Sequence, residues 1–135
     1  MTDNEYYRGL AESSLQYFGE RMMTTPQGLS QFLVALDFSL SKPKQVIIAG
    51  VSTDPSTQSI LKELHSRFIP NKIILLADGG EGQRVLASHL PFVKGIRMIG
   101  GKPTAYICEN YSCELPTSDL AVIAQLLEGK RKNPQ

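Results

Sequence analysis

The residues of this 135-residue chain that could do chemistry are few: two cysteines, two histidines and some carboxylates set among glycines. Cys108 and Cys113 stand in a C-x4-C spacing, which is neither the C-x-x-C of a dithiol redox site nor a complete zinc signature. A phosphate-cradling cysteine would need an arginine at position 114, where Glu114 would repel the dianion. Cys108 closes an apolar run and reads as buried, and Cys113 reads as loop. Three readings stay open for the pair: structural thiols, a redox-active or reversible disulfide, or part of a metal site. The metal reading needs two more ligands. Only His65 and His89 offer imidazoles, both expected on helices far along the chain, and neither stands beside an obvious nucleophile.

Two turns could hold a ligand. Gly50-Val51-Ser52-Thr53-Asp54 follows an apolar run and contains neither G-x-G-x-x-G nor G-x-x-x-x-G-K-[ST]. Asp54 there reads as a helix cap that would oppose an anion. Asp78-Gly79-Gly80-Glu81-Gly82 could bring a carboxylate to Mg²⁺ or to acid–base work, and its glycines would let a backbone approach a ligand. The same composition also makes a plain surface turn. The candidate binding residues are therefore Ser52, Asp54, Asp78, Gly79 and Gly80. No catalytic residue, metal or cofactor is assigned. Tyr6, Tyr7, Tyr17 and Phe18 read as packing residues at helical spacing.

The elements that must position these residues follow from periodicity. Tyr7, Leu10, Ala11, Ser14, Leu15, Phe18 and Met22 share one helix face. Thr25 and Pro26 read as cap and first residue of a second helix carrying Leu29, Phe32, Leu33, Leu36 and Leu40. Gln45–Gly50 is a buried strand. Asp54-Pro55 opens a helix with Ile60, Leu61, Leu64 and Phe68 on one side. Lys72–Ala77 is a second strand, Glu81–His89 a weaker helix interrupted by Gly82, and Ile96–Ile99 a weak strand signal. Gly100–Pro103 is a turn, Thr104–Cys108 a strand, Asn110–Pro116 a loop, and Ser118–Glu128 a last helix with Asp119 in its first turn and Gly129 beyond its end.

Alternating strands and helices predict an α/β fold: a small three-layer domain with a mainly parallel sheet of three or four strands, the Gln45–Gly50 strand at its centre. The divisions are a helical hairpin at 1–42, an α/β domain at 43–129 and a basic tail at 130–135. The hydrophobic share of 41% is globular, and a net charge of +1 removes the electrostatic case for a nucleic-acid or anionic-lipid surface. No stretch approaches the roughly 18 to 20 apolar residues of a membrane span. Met1–Glu5 lacks the cationic start and apolar run of a signal peptide. A soluble, cytoplasmic protein is expected, and the tail Lys130-Arg131-Lys132-Asn133-Pro134-Gln135 reads as a solvated chain end.

From Lys102 to Pro116 the sequence runs KPTAYICENYSCELP. This segment resembles the near-terminal signature of a family of large thioredoxin-domain-containing proteins, the spermatogenesis-associated protein 20-like proteins and their bacterial relatives. Leu36-Asp37-Phe38, Gln45–Gly50 and Arg67–Lys72 add to the resemblance, which runs from about Tyr6 to Leu127. It implies a thioredoxin-like domain, then a helical toroid like the six-hairpin barrels of glycosidases and sugar epimerases, then a small α/β tail. This chain resembles only the last toroid helices and the tail, so neither the redox site nor the barrel's acidic residues carries over. Cys108 and Cys113 carry over as motif residues of unknown role.

The resemblance implies a non-catalytic structural or interaction segment whose partners are the toroid and thioredoxin-like domain of a parent protein of unestablished activity. Two alternatives remain: a redox accessory module using Cys108 and Cys113, and a small-molecule module at the carboxyl edge of the sheet. A helix face built to meet neighbours in a ring also predicts a homodimer through residues 5–40.

Overall fold

Val46, Ile47, Ile48 and Ala49 succeed one another without a polar residue, and such a run is stable as a strand only where both faces are covered. In the computed structural model, which describes residues 4–109 and 112–129, they close β1 (Lys44–Ala49), and all four are buried. The basic tail and the Asn110-Tyr111 step lie outside the described residues. β2 is Ile73–Ala77, β3 Thr104–Glu109 and β4 Ser112–Cys113, in the order β2-β1-β3-β4.

Alternation sorts the strands onto two faces. Val46, Ile48, Ala105 and Ile107 pack against Ile60 and Leu64 of α4 (Pro55–Ser66) and Ile123 and Leu127 of α6 (Leu120–Leu127). Ile47 and Ala77 pack with Leu90 and Val93, joined by Leu86 of α5 (Glu81–His89). Val93 belongs to a 3-10 turn, Pro91–Gly95. The result is three layers, with the Gln45–Gly50 strand inside the sheet.

The sheet is mixed, which corrects the expectation of a mainly parallel one. β1 and β2 are parallel, but β3 runs antiparallel to β1, and β4 antiparallel to β3. The reason lies in residues 90–103. Ala49 pairs with both Ala77 and Thr104, so β3 starts at the edge where β2 ends. α5 carries the chain away from that edge, and residues 90–103 bring it back. Ile96–Ile99 is that returning limb rather than a strand, since only Ile99 bridges, to Lys102 across the Gly100-Gly101 turn.

Smaller differences have local causes. The first helix breaks at Phe18 into α1 (Glu5–Tyr17) and α2 (Gly19–Thr24), where Gly19 weakens the helix. Thr25 makes no side-chain cap, and Pro26–Leu29 is a 3-10 turn before α3 (Ser30–Leu40). Cys113 belongs to β4 rather than to a loop. Asp119 is the N-cap of α6 rather than a first-turn residue, with Oδ1 accepting from Ala121 and Val122 at 2.8 and 3.4 Å. Asp54 caps α4 as expected, accepting from Ser56 at 2.7 Å and Thr57 at 3.3 Å.

By its contacts the chain divides into two units, residues 1–42 and 43–135. In the first, Met22 is the one buried side chain among the described residues.

The opposite edge of the sheet is where helices end, and cations close them. Lys72 donates to the carbonyls of Leu64 and Arg67 at 2.6 and 2.9 Å, at the end of α4. Lys44 donates to the Leu126 carbonyl at 2.9 Å and pairs with Glu109, its cross-strand partner, at 3.4 Å. Arg67 bonds Glu63 at 2.7 Å and reaches Glu128 beyond α6. These positions favour cations because helix C-termini carry negative partial charge. Replacing Lys72→Met should therefore lower unfolding stability by about 1 to 2 kcal/mol, the cost of losing charge-assisted bonds to two carbonyls. A urea denaturation series on the two proteins measures it.

Candidate functional site

Both ligand-capable turns leave the same edge of the sheet, because Ala49 and Ala77 are paired and the Gly50 N–H donates to the Ala77 carbonyl at 3.1 Å. What their residues do there is largely structural. The Asp54 carboxylate is taken up by the first turn of α4. The Ser52 carbonyl accepts from the Gln58 side chain. Gly50 is buried, and a Cβ on it would run into the Thr57 hydroxyl and stand 3.2 Å from Pro103, so the turn is closed by packing. Thr57 is itself fully buried, and its hydroxyl has no hydrogen-bond partner.

Asp78 is the residue on which acid–base or Mg²⁺ chemistry would rest. Its Oδ1 accepts from the N–H of Gly80 at 2.8 Å and of Gln83 at 3.0 Å. It thus caps α5 from two residues before the Gly80 N-cap position, which has no side chain to offer. These bonds, that from Gly80 first and that from Gln83 next, hold the carboxyl below its ordinary range. A carboxylate so stabilised is a poor general base near neutral pH. A Cβ at Gly82 would come within 2.9 Å of Asp78 Oδ2, so the last glycine of the turn makes room for the cap.

Gln83 organises this corner, and no motif announces it. Its Oε1 accepts from the Gly79 N–H at 2.8 Å, while its Nε2 donates to the carbonyls of Val93 and Ile96 at 2.9 and 2.8 Å. One side chain therefore ties the turn after β2 to the limb returning toward β3. Thr104 does the same for the next turn, accepting from Ile99 N–H at 3.0 Å and donating to the Lys102 carbonyl at 2.8 Å.

Two recesses open near this edge. One of about 340 Å³ is lined by Ser56, Ser59, Ile60, Lys102, Pro103, Ser118 and Leu120. The other, about 310 Å³, includes Gly79, Gly80, Gln83, Arg84 and Lys94. Of the five candidate binding residues, Gly79 and Gly80 border a recess; Ser52, Asp54 and Asp78 line neither. Among the described residues, no three His, Cys, Asp or Glu side chains gather to hold a metal ion. His65 lies in α4, and His89 ends α5.

Cys108 and Cys113 are brought together. They face one another across the β3–β4 pair, Cα to Cα 4.0 Å, and are joined as a disulfide. Cys108 is half-buried and Cys113 exposed. The spacing could not announce this, because it follows from β4 turning back on β3 in a register that sets the two opposite.

No family model matches the chain, and no solved structure matches it. Over 113 residues, 84% of the chain, it is 35% identical to spermatogenesis-associated protein 20 of Homo sapiens and of Rattus norvegicus. The Mus musculus protein of that name is 34% identical over the same length. The matched stretch spans 14% of the length of each of these relatives.

Because the folded value for Asp78 is depressed, its carboxylate stabilises the fold fully above the ordinary carboxyl value of about 4 and loses that effect as pH falls through the folded value. Asp78→Asn should unfold at lower urea than the wild type at pH 7, and the gap should close on acidification below about pH 4. Urea midpoints across a pH series test this; a gap that does not change with pH would contradict it.

Proposed function

Since the chain is a relative of spermatogenesis-associated protein 20 over 113 of its residues, we propose that it serves as a non-catalytic structural and interaction segment of a larger thioredoxin-domain-containing protein. The observation that carries this reading is the near-absence of a core in residues 4–42. None of the residues of α1 or α3 is buried. Tyr7 and Leu10 of the apolar stripe are 64% and 49% exposed, and Val34 and Phe38 are 59% and 40% exposed. Ala11, Leu15, Phe32, Val34, Ala35 and Phe38 border a groove of about 520 Å³. An apolar surface of this kind marks a site of association. Its natural cover is a helical region of the larger protein; in the isolated chain, a second copy through residues 5–40 takes that place. The carboxyl-edge turns support the same reading, since Asp54 and Asp78 are engaged as helix caps.

A second reading, a redox accessory role, is favoured by the exposure of Cys113. A dithiol reductant would attack the Cys113 sulfur and expel the Cys108 thiolate; its second thiol would then displace Cys113 as a thiolate, so that the reductant leaves as its own disulfide and both cysteines are reduced. The dithiol arrangement familiar beside a βαβ unit is C-x-x-C, whereas the turn after β1 holds Val51-Ser52-Thr53-Asp54. The redox reading therefore rests on the β3–β4 pair alone. It requires a reduction potential above about −300 mV, since structural disulfides lie below that. Equilibration in glutathione buffers followed by thiol alkylation measures it, and a lower potential leaves the pair a structural staple.

The principal reading is tested with the double variant Leu10→Glu/Phe38→Glu. Supplied to the human relative lacking its matched stretch, the wild-type chain should co-purify with it and the variant should not. Alone, the variant should sediment as a smaller species than the wild type. Equal co-purification of the two, or a wild-type mass that is monomeric at every concentration, contradicts the proposal.

A further inference from the structure

The two edges of the sheet are finished differently. On one side β4 is two residues long and stapled by the disulfide. Between the Cys108–Cys113 pair and the Ala105–Thr117 bridge, the outer strand holds one residue more than β3, a bulge that contains Pro116. A short strand, a bulge and a proline are the usual means of keeping an edge from pairing. On the other side β2 has none of them. Ile73-Ile74-Leu75-Leu76-Ala77 carries no charge, proline or glycine, and among the described residues it pairs with β1 alone. Its first four side chains are only half-buried, where those of Val46–Ala49 in β1 are buried.

We propose that β2 pairs with β2 of a second copy, antiparallel about a two-fold axis at Leu75, so that two four-stranded sheets become one of eight strands. Charge selects this arrangement. Centred on Leu75, the register sets Lys72 of each copy opposite Asp78 of the other, with Ile73 opposite Ala77 and Ile74 opposite Leu76. A slip of one residue puts Lys72 against Ala77 or Gly79 and loses both pairs. A parallel, in-register alignment puts Lys72 against Lys72, and like charges directly opposite are destabilising. Lys72 is tied to the end of α4 and Asp78 to the start of α5, helices on opposite faces of the sheet, so the two charges favour this register by attraction along the edge and not by a preformed contact. The faces also agree, because Ile74 and Leu76 both lie on the α4/α6 side. Five residues a side make a contact below the roughly 1,000 Å² of a stable interface, so the association is weak and depends on concentration.

The test is a single cysteine on the axis. Under mild copper-catalysed oxidation, Leu75→Cys should give a covalent dimer on a non-reducing gel, several-fold more than Ile73→Cys, which faces Ala77. Amide exchange on the unaltered protein adds a measurement independent of any variant: protection of β2 should rise with protein concentration. In the Leu10→Glu/Phe38→Glu background the Leu75→Cys crosslink should persist, which separates this contact from one through the helical unit. A monomeric Leu75→Cys protein, equal crosslinking at position 73, loss of the crosslink in the helical background, or concentration-independent protection of β2 overturns the proposal.

Discussion

The α/β unit depends on burying β1 from both sides at once. Val46 and Ile48 turn to one face, Ile47 and Ala49 to the other, and neither pair can be left to water. Two helical layers are therefore obligatory. On one face α4 and α6 supply Ile60, Leu64, Ile123 and Leu127; on the other the cover comes from Leu86, Leu90 and Val93. With the layers fixed, every helix on the first face must start at the carboxyl edge and end at the opposite one. The polar chemistry of the unit follows from that polarity. Aspartates 54 and 119 sit where backbone N–H groups lack partners, and Lys44 and Lys72 sit where carbonyls do. The carboxyl edge, where a sheet of this kind would receive an anion, is thus already supplied with negative charge from within the chain.

How much of this was legible in the sequence depends on how local the cause was. The three long strands were visible because each is a short, mainly apolar run bounded by turn residues, too short for a buried helix. The Asp54-Pro55 start was visible because a cap and its helix lie within three residues. The direction of β3 was not, because it is decided by residues 90–103, whose course depends on Gln83 reaching the Val93 and Ile96 carbonyls ten and thirteen positions away. The rule that alternation implies parallel strands assumes that the helix alone returns the chain; here an irregular limb follows α5 and reverses the outcome. The candidate site shows the same limit. Glycines around Asp78 signalled a backbone approach, and there is one, but what approaches is the carboxylate of Asp78 itself. Arg67 and Lys72, part of the family-like segment, owe their places to helix ends, a role that spacing alone does not reveal.

The two units differ in how their apolar surface is disposed. Among the described residues of the α/β unit, those of β1, β2 and β3 are buried or half-buried, and the exposed large apolar side chains, such as Phe68 and Leu115, lie outside these strands. In residues 4–42 the helices have apolar side chains but no enclosed core. Short helices are marginal in water without tertiary packing. α1 has thirteen residues, α3 eleven, and Met22 alone is buried between the start of α1 and the end of α3. Local stability follows enclosed apolar contact, and residues 4–42 enclose little of it, whereas the α/β unit has β1 shut between two layers. This difference separates the two proposed associations: one through the helical face would complete a missing core, whereas one through β2 would extend a sheet that is already closed above and below.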